Sequence, residues 1–96
     1  MSKKILHLNL KKKWFDQVKS GEKTEELRLI KPYWEQRLHG RTYDEIHIRN
    51  GYKKGGEILR FRWNGYTTKM ITHEEFGAEA VPVFVIDLSE AINETI

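Results

Sequence analysis

Apolar and polar residues alternate with period two over several short stretches of this chain, and that pattern commits it to a sheet-rich fold. Leu6, Leu8 and Leu10 alternate with His7 and Asn9. From Thr24 to Ile30, Leu27 and Leu29 share one side, while Thr24, Glu26 and Arg28 share the other. Tyr43–Arg49 sets Ile46 and Ile48 against His47 and Arg49, and Glu57–Trp63 sets Leu59, Phe61 and Trp63 against Ile58, Arg60 and Arg62. Tyr66–Thr72 and the strongly apolar Val81–Leu88 complete five or six predicted strands.

Two segments break the alternation. Lys11–Ser20 carries Trp14, Phe15 and Val18 as an apolar stripe, with Gly21 where a left-handed C-terminal cap belongs, so a short helix is expected. Pro32 opens a second helix running to about His39, with Trp34 and Leu38 four residues apart and Gly40 behind them. Asn50-Gly51 and Gly55-Gly56 bound a loop around Tyr52-Lys53-Lys54. Asn64-Gly65 is the strongest two-residue hairpin signal in the chain and predicts that the strands on either side pair. His73–Glu79 reads as a short irregular or helical piece, and Ser89–Ile96 as a short helix or frayed tail.

At 96 residues there is material for one core and one domain, 1–96, which buries roughly 60–65% of its unfolded surface. Few strands, expected hairpins and two short helices near the N-terminus describe an α+β domain whose small sheet closes into a barrel. The trp-rich positions Trp14, Trp34 and Trp63 are expected to fill that core. A site must then be a surface cleft at strand ends and loops.

Several chemistries drop out. No cysteine is present, which excludes disulfides and thiolate metal sites and fits a reducing, cytoplasmic setting. No signal peptide is expected from MSKKILHLNL, and no run reaches the roughly 18–20 apolar residues of a membrane span. The three serines lie outside any G-x-S-x-G setting, no phosphate-binding glycine loop occurs, and the four histidines are scattered, so neither a metal nor another cofactor is expected.

Charge points toward a partner. All 17 Lys and Arg residues lie between Lys3 and Lys69, where eight acids leave a net +9, while residues 70–96 hold the other six acids and no base. Such a split favours an anionic ligand on one side.

The densest chemistry is Gly21-Glu22-Lys23-Thr24-Glu25-Glu26-Leu27-Arg28. Lys23 follows a helix cap, and Glu26 and Arg28 share one face of the next strand. A guanidinium suits phosphate, a carboxylate accepts from a base amino group, and an amine supplies a point charge or a general base. Read without further context, the same residues also describe a surface strand carrying an ion pair of little energetic consequence.

Gly21, Lys23, Glu26 and Arg28 form a G-x-K-x-x-E-x-R pattern, preceded by a strand and an aromatic helix ending in Lys19-Ser20-Gly21. This resembles the ASCH domain family, most clearly over residues 5–30. The resemblance implies a PUA-like β-barrel and a cleft lined by Lys23, Glu26 and Arg28. It also implies binding of RNA or of a nucleoside or nucleotide, as some members hydrolyse acetylated cytidine and at least one cleaves RNA. Those amidohydrolases are similar at Lys23, their base, but carry a threonine nucleophile where this chain has Glu26. Thr24, directly after the lysine, is the available hydroxyl, and Glu74 or Glu75 the candidate proton donor.

The leading expectation is therefore a binding domain for RNA or a modified nucleoside, with Lys23, Glu26 and Arg28 as pocket and Arg49, Tyr52 and Lys53 as rim. The alternative is an amidohydrolase or ribonuclease with Lys23 as base, Glu26 as its partner and Thr24 as a further catalytic candidate. An adaptor that docks a protein through the acidic C-terminal segment is a third.

Overall fold

The computed structural model describes residues 2–51, 55–74 and 77–92. In chain order its elements are β1 (Ile5–Leu10), α1 (Lys12–Ser20), β2 (Glu25–Leu29), α2 (Pro32–Leu38), β3 (Glu45–Asn50), β4 (Ile58–Arg62), β5 (Tyr66–His73) and β6 (Gly77–Asp87).

Each early element follows from its pattern. Leu6, Leu8 and Leu10 turn inward from β1 and are buried, while His7 stays exposed. Helix α1 buries Phe15 and Val18, and ends because Gly21 adopts φ 83°, a left-handed cap whose N–H bonds to the Val18 carbonyl. Proline opens α2, which buries Leu38 completely.

The strands form two sheets of three. One has the order β1-β3-β4, with β1 parallel to β3 and β3 antiparallel to β4. The other has the order β2-β6-β5, antiparallel throughout. Between β1 and β3 the chain builds α1, places β2 in the second sheet and then builds α2; a parallel pair requires a long crossover of this kind. Leu8, Ile46, Ile48 and Phe61 from the first sheet meet Phe84 and Ile86 from the second in a single core, sealed by Phe15, Val18, Leu38 and Leu88.

The expected closed barrel is not formed. Neither β1 nor β4 forms a strand ladder with β2 or β5; both sheets are open, and the described link beyond them is a single bridge from Phe61 to Ala91. Burial explains the difference. Apolar residues of both sheets already meet in one core, so they are buried without a ladder between the sheets. The helices are not confined to the N-terminus either, since α2 follows the second strand.

The Asn64-Gly65 turn likewise does not make the expected hairpin. It carries the chain from one sheet to the other, so β4 pairs with β3 and β5 with β6. The hairpin lies later, where β5 runs to His73 and β6 begins at Gly77, in the stretch expected to be irregular or helical. Beyond β6, the described part of the C-terminal segment is neither helix nor frayed end. It lies along β4, with Arg62 N–H donating to the Glu90 carbonyl and Ile92 N–H to the Arg60 carbonyl, each at 2.9 Å. No helix among the described residues is long and apolar enough to cross a membrane.

Candidate functional site

Glu26 is the centre of the site. In β2 the polar face turns toward the interior, opposite Ile86 and Phe84 of β6, and the Glu26 side chain keeps only 5% of its surface exposed. Leu27 and Leu29, on the other face, are only half-buried. A carboxylate held this far from water needs strong partners. Lys23 Nζ donates to Oε1 at 2.6 Å, and Arg28 donates to Oε2 from Nε at 3.0 Å and Nη2 at 2.7 Å. Arg28 Nη2 also donates to the Asn9 carbonyl at 3.1 Å, which ties the second sheet to the end of β1.

These groups line a cleft of about 550 Å³. Trp14 from α1 and Trp34 from α2 also line it, as do Lys11, Lys31 and His73. The Arg28 guanidinium lies 4.8 Å from the Trp34 ring centre, and the Lys23 ammonium 5.4 Å from that of Trp14. The His73 ring packs against Trp14 at 5.7 Å. Four Lys and Arg residues thus line the cleft with one carboxylate, and two indoles offer flat apolar surface. The arrangement suits a small planar anion or heterocycle with both donors and acceptors.

The three residues of the G-x-K-x-x-E-x-R motif therefore meet in one hollow. Of the other expected site residues, those among the described residues do not join them. Thr24 is exposed and borders a second cavity, of about 520 Å³, between the end of α1, β4 and the C-terminal segment; Lys23 lines both this cavity and the cleft. Arg49 lies on β3 with Glu45 and His47, on the face opposite the buried Ile46 and Ile48, and so on the outside of the first sheet. Tyr52 and Lys53 lie outside the described residues, as does Glu75. Glu74 is exposed and pairs with Lys13 at 3.3 Å.

Sequence reading missed the two indoles and His73. Trp14 and Trp34 do pack against the core, as expected, but each also shows a side to the cleft. No spacing signals His73; only the β5–β6 hairpin carries it to α1.

A second ionic group, also unforeseen, occupies the outer face of the first sheet. Glu45, with 7% of its side chain exposed, receives Arg60 through Nε and Nη2 at 3.0 Å each and Lys3 Nζ at 2.6 Å, and its Oε1 lies 3.0 Å from His47 Nε2. The hydrogen bonds from Arg60, then Lys3 and His47, hold its carboxyl far below the usual carboxylate range, against an opposing push from burial. Arg62, by contrast, is exposed and pairs with Glu90 at 2.8 Å.

Among the described residues, no group of three or more His, Asp or Glu side chains is arranged to hold a metal ion. No protein-family model matches the chain, and neither the curated proteins nor the solved structures contain a match.

Proposed function

We propose that this protein binds single-stranded RNA or a modified nucleoside, with the base lodged in the cleft at Lys23, Glu26 and Arg28. The observation that carries this reading is the convergence of an ammonium and a guanidinium on one buried carboxylate between two indoles. Glu26 can accept from an amino group of a base, Arg28 and Lys23 can donate to its ring nitrogen or carbonyl, and the indoles can cover its faces. Each stacked base contributes roughly 1–3 kcal/mol in proteins that use this mode. Lys11 and Lys31 at the cleft supply charge for an attached phosphate. The likeness of the G-x-K-x-x-E-x-R stretch to the ASCH family supports the same ligand class, and the absence of cysteine suits a cytoplasmic setting.

Binding is favoured over hydrolysis. Thr24 does not line the cleft that holds Glu26 and Arg28, and the Lys23 ammonium is engaged as a donor to Glu26. The test is quenching of tryptophan fluorescence during titration with nucleosides and with short single-stranded RNA at several salt concentrations. Affinity for RNA should fall with salt, by about 0.7 log units per log unit of salt for each phosphate contacted. Arg28→Ala should weaken both ligands. Absence of any binding at low salt would overturn the proposal.

A further inference from the structure

The outer face of the first sheet carries basic groups in an ordered grid. Register places His7, His47 and Arg60 side by side across β1, β3 and β4, and Asn9 beside Arg49 in the next inward-to-outward repeat. Successive members of one strand face stand about 6.6 Å apart. The His7 and His47 rings meet edge to face at 5.6 Å. Glu45 offsets one of these charges and fixes the others' positions, accepting from Arg60 Nε and Nη2 and holding Lys3 and His47 around one buried carboxylate. Arg49 is half-buried, and among the described residues no carboxylate pairs with its guanidinium. Asn9, beside Arg49 in register, lines the cleft, and its backbone carbonyl receives Arg28. Surface and cleft are therefore contiguous, and both are cationic.

The geometry points to this face as a phosphate-binding track, on which the backbone of a single-stranded nucleic acid lies when one of its bases occupies the cleft. The inference rests on the cleft holding a base, and it deepens that reading: the ligand is a strand several nucleotides long and not an isolated nucleoside. Lys3 and Arg49 contact phosphates, the row of His7, His47 and Arg60 lies between Glu45 and Arg49 in register, and His7 offers a ring to the sugar or base that follows. Glu45 holds the exposed Lys3 ammonium in place, so that group loses less side-chain freedom on meeting a phosphate.

The experiment compares the wild type with the double variant Lys3→Gln/Arg49→Gln, and with Lys69→Gln on β5 in the other sheet as a control for general charge. Each is titrated with a nucleoside monophosphate and with a single-stranded octanucleotide over a range of salt, after circular dichroism confirms folding. Loss of two phosphate contacts should make the slope of log affinity against log salt shallower by about 1.4 for the octanucleotide. Binding of the monophosphate should not change, and Lys69→Gln should match the wild type with both ligands. The track is overturned if the double variant keeps the wild-type slope, if Lys69→Gln shows the same reduction, or if both ligands weaken equally. A wild type that binds the octanucleotide but no nucleoside or nucleotide, with the slope reduced in the double variant, upholds the track and refutes the cleft instead.

Discussion

Removing the Glu26 carboxylate tests whether the cleft is a stressed electrostatic unit or an ordinary surface ion pair. Glu26→Ala deletes the acceptor of three charge-assisted hydrogen bonds, at 2.6, 2.7 and 3.0 Å, and leaves an ammonium and a guanidinium facing each other. Breaking a buried ion pair from one side costs about 3–5 kcal/mol when the remaining charge is dry. Lys23 and Arg28 keep 22% and 17% of their side-chain surface, so part of their hydration returns. The expected loss is then about 2–3 kcal/mol. For a domain of this size that corresponds to a fall of roughly 10–20 °C in Tm. Urea unfolding followed by circular dichroism measures the loss, and a double-mutant cycle with Arg28→Ala isolates the pair, for which a coupling of about 1–2 kcal/mol is expected. A Glu26→Ala protein within about 0.5 kcal/mol of the wild type would refute the reasoning, because the carboxylate would then behave as though solvated.

Three further outcomes follow from the coordinates. Phe15→Ala, at a side chain with 1% exposure in the shared core, should cost about 3–5 kcal/mol and leave a largely unfolded protein by near-ultraviolet circular dichroism. Gly56→Ala should destabilise by about 1–3 kcal/mol in urea unfolding, because its Cβ would stand 2.4 Å from the Asn50 carbonyl oxygen, a backbone atom that cannot swing aside. The Glu45 carboxyl titrates below its ordinary value of 4.5 in the folded chain, so its contribution is fully present above that pH and is lost as the pH falls toward the folded value. The urea midpoint should accordingly decline below about pH 4.5, and less steeply in Glu45→Gln.

Periodicity along the chain identified which segments are strands and which side of β1, β3 and β4 is apolar, because a period of two reports on faces directly. It contains no information about partners. The pairing of Ile5–Leu10 with Glu45–Asn50 joins segments separated by two helices and a strand, and nothing local distinguishes that choice from pairing with β2. The Asn64-Gly65 turn misled for the same reason: the dipeptide describes a change of direction, and tertiary burial decided that β5 should meet β6. In β2 the usual equation of apolar with inward failed, since Glu26 is more buried than Leu27 or Leu29. That inversion is possible only because Lys23 and Arg28 arrive together, and their spacing around Glu26 was visible in the motif. Arg49 was placed on the cleft rim because charge density along the chain ignores which side of a sheet a residue occupies. Its alternation with Ile48 already placed it on the opposite side from the core.

Strand β6 is longer than the neighbour that anchors it. Val83–Ile86 are held on both flanks by β2 and β5, whereas Gly77–Pro82 has β5 alone for ladder pairing. A two-stranded ribbon is marginal in water without a third strand, so Gly77–Pro82 has less ladder support than Val83–Ile86. His73 lies on that weaker end and Arg28 on the stronger one. The cleft is therefore bounded on one side by a two-stranded ribbon and floored by residues of a three-stranded one.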